Sequence, residues 1–508
     1  MVHTVKRAKE IHHFIGGEMR KGKSGQFGNV YNPATGQVTE LCPYASEEEV
    51  NNAVELANRA AEQWKKTAVA KRMDVLMKFR NLLIEATDEL AITIGKENGK
   101  TISDAKGEIG RTIESVDFAL GAPHLLKGEH SKNVGGHIDV YSIKQPLGVV
   151  TCIAPFNFPV MVPVAMSTLA IACGNAVILK PSERVPNSAL RISELWQEAG
   201  LPSGVWSVVN GDKIAVDALI SHPEVMAISF VGSTHVAEYV YEEASRQHKR
   251  VATFGGGKNH MVIMPDADIN GAVTAFLGAA YGAASQRCMA ISVAMPVGED
   301  TAERFIKRLK DRVEELKVGA YDDESADFGP VITQQAKDSI LKSIEDSLEE
   351  GAILSVDGRN PDVGTEGKKG FYLGATLLDH VKPNMKIYNE EVFGPARIVV
   401  RVQDLQEAID LINNHEFGNG VTIFTQSGAA ARLFTEEIEV GMVGVNVPIP
   451  IPVGYHNFGG WKRSRFGDGQ MFGPDNVRFY TKVKTISERW PELQVEGIQT
   501  TFDFPSNR

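Results

Sequence analysis

Residues 147–183 read "LGVVTCIAPFNFPVMVPVAMSTLAIACGNAVILKPSE". The stretch opens on a short apolar run, "LGVVTCIA", which predicts a strand. An apolar helix over 159–172 and a second apolar strand, "NAVILK", follow. The pattern then repeats with a helix over 187–199, the strand "WSVVN", a short helix, the strand "AISFVG" and a helix over 235–247. Strands and helices alternating in units of this size form βαβ crossovers, so the expected fold is α/β with a mostly parallel sheet.

Upstream, Ser46 and Glu49 of "SEEEVNNAVELANRAAEQW" form a capping box before apolar residues at helical spacing. Further helices are expected over about 69–95 and 101–120. Residues 131–146 alternate like strand about a Gly-Gly turn and predict a projecting hairpin. Downstream, "NHMVIMPDAD" is followed by a helix over 268–283, a strand over 291–297 and a helix over 300–316. This predicts a second α/β domain beginning near 256, with "FGGGKNH" as the hinge. Residues 356–370 read as a surface loop and "NVRFYTKVKTISERW" (476–490) as strand.

With 508 residues, 43% hydrophobic and 23% charged, the chain has room for two or three well-filled domains. Its formal charge of −11 argues against nucleic acid or an anionic membrane as a general partner, so local cations must hold any anionic ligand. No apolar run reaches the length of a membrane span. The N-terminal stretch "MVHTVKRAKEIHHFIGG" lacks the apolar segment of a signal peptide. Cys42, Cys152, Cys173 and Cys288 include no C-x-x-C pair and no Cys/His cluster, so neither a disulfide framework nor a metal site is expected. That usage suits a cytoplasmic protein. Cys42, Cys152 and Cys173 are expected only to pack, and His12, His13 and His260 to have structural or surface roles. The basic run "GGWKRSRFG" (459–467) reads as a solvated loop or a subunit contact.

A doubly wound sheet binds nucleotides where strand C-termini meet helix N-termini. The G-x-G-x-x-G fingerprint is absent, but "ILKPSE" and "FVGSTHVA" each follow a strand. Gly232 and Ser233 lie at a strand end, where Ser233 or Thr234 caps the next helix and its N–H groups face a pyrophosphate; a plain βα turn is the alternative. Lys180 and Glu183 have the chemistry to bond ribose hydroxyls, the acid also repelling the extra phosphate of NADP; alone, they read as surface charges. In "ASQRCMAIS" (284–292), Arg287 stands beside Cys288, which by itself reads as a surface charge next to a buried filler.

Taken together, "PFNFP" (155–159), "LKPSE" (179–183), "FVGST" (230–234), "GGGK" (255–258), "QRC" (286–288) and "EEVFGP" (390–395) resemble, in order and spacing, the aldehyde dehydrogenase superfamily. The resemblance runs from "FIGGE" at 14–18 to the terminal strand. It implies an aldehyde dehydrogenase-like fold with a Rossmann-type NAD-binding domain (1–125 and 146–255), an α/β catalytic domain (256–445) and a β oligomerisation segment (126–145 and 446–508). Cys288 then resembles the nucleophile that attacks the aldehyde, aided by a nearby cation or dipole that exposes thiolate. Asn157, with the Cys288 backbone N–H, resembles the oxyanion hole. Ala154, Phe156, Lys180, Glu183, Gly232, Ser233, Glu391 and Phe393 correspond to NAD contacts, and Phe158 to a substrate contact.

Hydrolytic members carry a glutamate four residues before the lysine of the "GGGK" motif. Here that position is Phe254, which cannot take a proton. Coenzyme A, which brings its own thiol, would serve instead of water. "PFNFPVMVP", "CGNAVILKPSERVP", "GKNHMVIMPDAD", "RCMAISVA" and "FGGWKRSRFGD" resemble the CoA-acylating methylmalonate (or malonate) semialdehyde dehydrogenases, a branch that usually has asparagine at the Phe254 position. Ala237, where "GST" motifs commonly end in glycine, is a second departure. In that branch the substrate carries a carboxylate, and Arg287 and Arg111 match the arginines that grip it. The resemblance therefore implies oxidation, loss of carbon dioxide through an enolate, and release of acetyl-CoA or propionyl-CoA from a homotetramer (dimer of dimers). A hydrolytic dehydrogenase and a catalytically retired NAD-binding protein are the alternatives.

Overall fold

The computed structural model describes residues 8–490; residues 1–7 of the N-terminal stretch and 491–508 of the segment assigned to oligomerisation lie outside them. An eight-stranded sheet holds five parallel strands in the order Arg250–Phe254, Val225–Val231, Val149–Ile153, Ala176–Lys180, Trp206–Val208. Antiparallel strands His13–Ile15 and Glu18–Arg20 extend one side, and Arg465–Phe466 the other. The strand Val149–Ile153 shows why its sequence is apolar throughout. Val150 and Cys152 enter one core and Val149 and Ile153 the other, with helices covering both faces.

From Phe254 the chain crosses to a seven-stranded sheet through Gly255, Gly256, Gly257 and Lys258. That sheet is parallel except for its edge strand Ile353–Val356 and again has a core on each face. A third sheet joins the hairpin His130–Gly135 and Ile138–Pro146 to the terminal strand Thr481–Glu488.

The capping box forms, with the Ser46 side chain and Glu49 backbone bonded and the reverse contact also present. The helix expected over 69–95 is two, Val69–Glu85 and Thr87–Asn98, broken at Ala86. Residues 476–480, expected as the start of the terminal strand, belong instead to the helix Pro474–Tyr480. Pro474 starts this helix and Asn476, Val477, Phe479 and Tyr480 are buried, the Tyr480 hydroxyl donating to Met166 O at 2.7 Å. The loop expected at 356–370 contains a single helical turn, Gly364–Gly367. The basic run at 459–467 is only in part a solvated loop: Trp461 and Arg463 are exposed, but Gly459, Gly460 and Ser464 are buried. It forms the short strands Trp461–Lys462 and Arg465–Phe466, Lys462 donating to Ile412 O and Asn413 O and Arg463 pairing with Glu238 and Glu416.

Candidate active site

The strand order fixes where a ligand can enter. After Val149–Ile153 the chain moves outward through two strands, then returns to place Val225–Val231 on the other side of Val149–Ile153. Between the carboxyl ends of these two neighbours lies the topological switch point of the sheet. A cleft of about 870 Å³ opens there and brings together Ala154, Phe156, Asn157, Lys180, Glu183, Gly232, Ser233, Glu391, Phe393 and Cys288. Lys180 Nζ stands 3.2 Å from Glu183 Oε2. Burial raises the Glu183 carboxyl, but Lys180 and Arg184 outweigh it and leave Glu183 below its ordinary range, hence ionised. Ser233 occupies the N-cap of the helix Thr234–Arg246, yet its hydroxyl caps nothing. The Thr234 hydroxyl is also spent elsewhere, accepting from Gly256 N at 2.9 Å, so the expected side-chain cap does not form and the helix end is left to a ligand. These features fit a dinucleotide. Ala237, one turn on, is fully buried against the sheet.

Glu391 enters the cleft from the second sheet. It accepts from Gly257 N at 3.0 Å and lies so close to Gly256 that a Cβ there would stand 2.4 Å from its carboxylate. Burial pushes its carboxyl up to about 7. Behind it Lys258, pushed down to about 7 by burial, donates to the carbonyls of Ile387 and Glu390 and so pins the "EEVFGP" segment.

Cys288 follows three consecutive left-handed residues, Ala283, Ala284 and Ser285, with φ of 53°, 50° and 62°. For L-residues this conformation costs roughly 1–2 kcal/mol each and persists only when surroundings impose it. Here the Gln286 side chain accepts from Ile332 N, and the Asn259 and Asn419 amides both donate to Cys288 O at 2.9 Å. The thiol is half-buried, the other three cysteines fully so. The expected activating cation does not dominate. Burial, then the Glu391 charge, push the Cys288 thiol up to about 11, against a smaller pull from Lys100. Asn157 is buried, and its side-chain amide makes no hydrogen bond among the described residues.

A second cavity of about 170 Å³ reaches Cys288 from the opposite side and brings together Phe158, Arg111, Arg287 and Phe254. Asp104, Glu108, Glu114, Ser115 and Asn419 also line it, and Phe458, Met471, Phe472, Ile449 and Ile451 give it an apolar wall. Both arginines are already paired. Arg287 bonds Asp104 Oδ1 at 2.6 Å, and Arg111 bonds Glu114 and Pro452 O. The other oxygen of Asp104 is buried without a partner among the described residues. Phe254 is buried, edge to face with Phe458, with the Arg465 guanidinium 6.0 Å from its ring centre. No proton acceptor stands at that position. Elsewhere, His260 is buried between the rings of Tyr388 and His415.

The sequence reading missed Asp104, Glu108, Asn259 and Asn419. For the first two a signal existed, since Asp104, Glu108 and Arg111 recur at helical spacing and share one face. The two asparagines gave none, acting only through contacts across the fold.

The chain belongs to the aldehyde dehydrogenase family, which residues 19–486 match. Among curated relatives it is 52% identical to a malonate-semialdehyde dehydrogenase of Pseudomonas aeruginosa over 98% of this chain and 99% of that one. It is 46% identical to the enzyme of the same name from Halalkalibacterium halodurans, covering 95% and 99%. A solved methylmalonate-semialdehyde dehydrogenase from Oceanimonas doudoroffii superposes with a TM-score of 0.94 at 51% identity, covering 95% and 99%. A Sinorhizobium meliloti 1021 protein named for the same activity and solved with NAD gives 0.95 at 50% identity, covering 97% and 100%.

Proposed function

We propose that this chain oxidises malonate or methylmalonate semialdehyde with NAD and passes the acyl group from Cys288 to coenzyme A. One observation carries the reading: Cys288 lies where a dinucleotide-sized cleft meets a cavity holding two arginines, with a phenyl ring where a general base would stand. Arg111 and Arg287 hold the substrate carboxylate by exchanging Glu114 and Asp104 for it, and so orient the aldehyde carbon. Cys288 Sγ adds to that carbon, and the unspent Asn157 amide and the Cys288 N–H receive the developing oxyanion. NAD, when bound, supplies the hydride acceptor. The carbon leaves this step as a thioester on Cys288, and the 3-oxo carboxylate loses carbon dioxide through an enolate that takes up a proton. Phe254 activates no water, so the acyl group waits for the thiol of coenzyme A.

A hydrolytic reading has one observation in its favour, the Glu391 carboxyl raised to about 7 in the same cleft, a suitable base for water. NADH formation from both semialdehydes, with and without coenzyme A and with products identified by mass spectrometry, separates the two. Steady turnover only with coenzyme A, giving acetyl-CoA or propionyl-CoA, supports thiolysis. Steady release of free acid without it overturns the proposal. A protein that binds NAD but forms no NADH would be the retired member.

We assign the hairpin and terminal-strand sheet to assembly of a homotetramer, since its outer strands leave unpaired backbone edges in one chain. The domain limits follow the same assignment, except that residues 461–466 return to pair within the body of the chain. Among the described residues no helix is long and apolar enough to cross a membrane, and no cluster of His, Cys, Asp or Glu could hold a metal ion. The four free thiols support a cytoplasmic site.

A further inference from the structure

Asn157 must present its amide to one point in space, yet it sits on a loop between a strand and a helix. The loop is clasped from outside the sheet by residues that none of the site motifs contains. Asn98 Nδ2 donates to Phe156 O at 2.8 Å. Lys100 Nζ stands 3.9 Å from the centre of the Phe158 ring. Glu108 Oε1 accepts from Val160 N at 2.9 Å and Met161 N at 3.0 Å, and its Oε2 meets Lys100 Nζ at 2.5 Å. Anchors therefore fall on both sides of Asn157. The Lys100–Glu108 pair is almost wholly buried, with side chains 2% and 0% exposed. Such a pair is a poor source of stability, because the desolvation of both charges offsets their attraction; what it supplies is a single defined geometry. Glu108 also shares a helix face with Asp104 and Arg111, one turn to either side. The helix that carries the carboxylate grip is thus bolted to the loop that carries the oxyanion donor.

We propose that Lys100 and Glu108 are a positioning pair that holds the Asn157 loop in register with Cys288 and with Arg111. This rests on the reading of Cys288 and Asn157 given above. Every hydrogen bond of the pair goes to the protein, although Glu108 also lines the substrate cavity, so its loss should act chiefly on the rate of the oxidative step. A displacement of about 1 Å at the reacting centre costs on the order of 100-fold.

The test is the pre-steady-state NADH burst of the full-length wild type, Lys100→Met, Glu108→Gln and the double variant Lys100→Met/Glu108→Gln. Active sites are counted by burst amplitude. The expected result is a burst rate lowered about 10- to 100-fold in each single variant at near wild-type amplitude, with the semialdehyde KM changed less than about threefold. The double variant, which leaves no unpaired buried charge, should fold even where a single one does not, and should stay slow. Amide exchange at residues 157–162 should speed up in all three, a readout that needs no turnover. Wild-type burst rates with reduced amplitude would make the pair merely structural and overturn the proposal, as would unchanged exchange over 157–162 in a folded double variant. No NADH at all from the wild type itself would instead reject the reading of Cys288 and Asn157 on which the pair's role rests.

Discussion

The two cavities that meet at Cys288 differ in how the chain builds them. The cofactor cleft takes most of its lining from short segments that each follow a parallel strand, with Ala154 after one, Lys180 ending another and Gly232 after a third. The substrate cavity takes its lining from one face of the helix Ile102–Leu120 and from loops between 449 and 472, joined only in the folded chain. The first is fixed by backbone topology. The second depends on side-chain pairings such as Arg287–Asp104, whose members are 183 residues apart. Substitutions at the shared thiol should therefore affect the chemistry alone, and those in the small cavity should affect specificity.

The largest effect is expected at the junction. Cys288→Ala should lower NADH formation by at least about 10⁴-fold, as loss of a nucleophile does. NAD binding followed by fluorescence titration should be unchanged. A matching loss of NAD affinity would mean that the two cavities are not independent.

Next come the guanidiniums. Arg111→Ala and Arg287→Ala should each lower kcat/KM for the carboxylated semialdehydes by about 10- to 100-fold, the worth of one or two charge-assisted hydrogen bonds. For an uncharged aldehyde of equal length the change should stay within about threefold, because nothing there replaces Asp104 or Glu114. Equal losses on both substrates would assign the arginines to holding the fold through their present partners.

This contrast also explains what the sequence disclosed. Lys180 and Gly232 stand in contiguous motifs beside strands whose apolar runs mark them, so strand order could bring both to one cleft, whereas Glu391 was legible only through the family resemblance. Asn259 and Asn419 lie 160 positions apart and come together only in the folded chain, at Cys288 O, and no local pattern marks either. The helix Pro474–Tyr480 was misread for a related reason. Its apolar residues satisfy strand alternation locally, and contacts with the helix Met161–Ala172, including Tyr480 to Met166 O, decide the outcome.

A smaller effect is expected at Phe254, which lines the substrate cavity next to Gly255, a residue both cavities share. Phe254→Glu restores a carboxylate beside the thiol and should raise NADH turnover without coenzyme A by about tenfold, a modest share of what a well-placed general base contributes. Product analysis should show free acid. If coenzyme A remains essential, the absence of a base at 254 is not what sets the acyl acceptor, and access of water is.

The smallest effect separates the influence of the two cavities on the thiol itself. Glu391 faces Cys288 from the cofactor side, and its negative charge disfavours thiolate. Its carboxyl is raised to about 7, so the charge is present above that pH and fades below it. Removing it in Glu391→Gln should lower the thiol pKa, and iodoacetamide should then label Cys288 about threefold faster than in the wild type at pH 8, since the thiolate is the reactive form. At pH 6 Glu391 is already neutral in the wild type and the ratio of rates should approach one. A ratio of one at every pH would show that burial alone raises the thiol and that the carboxylate is neutral throughout the range, whereas a ratio that rises through pH 7 would assign part of the restraint on Cys288 to the cofactor cleft, to be lifted when a ligand there turns Glu391 away.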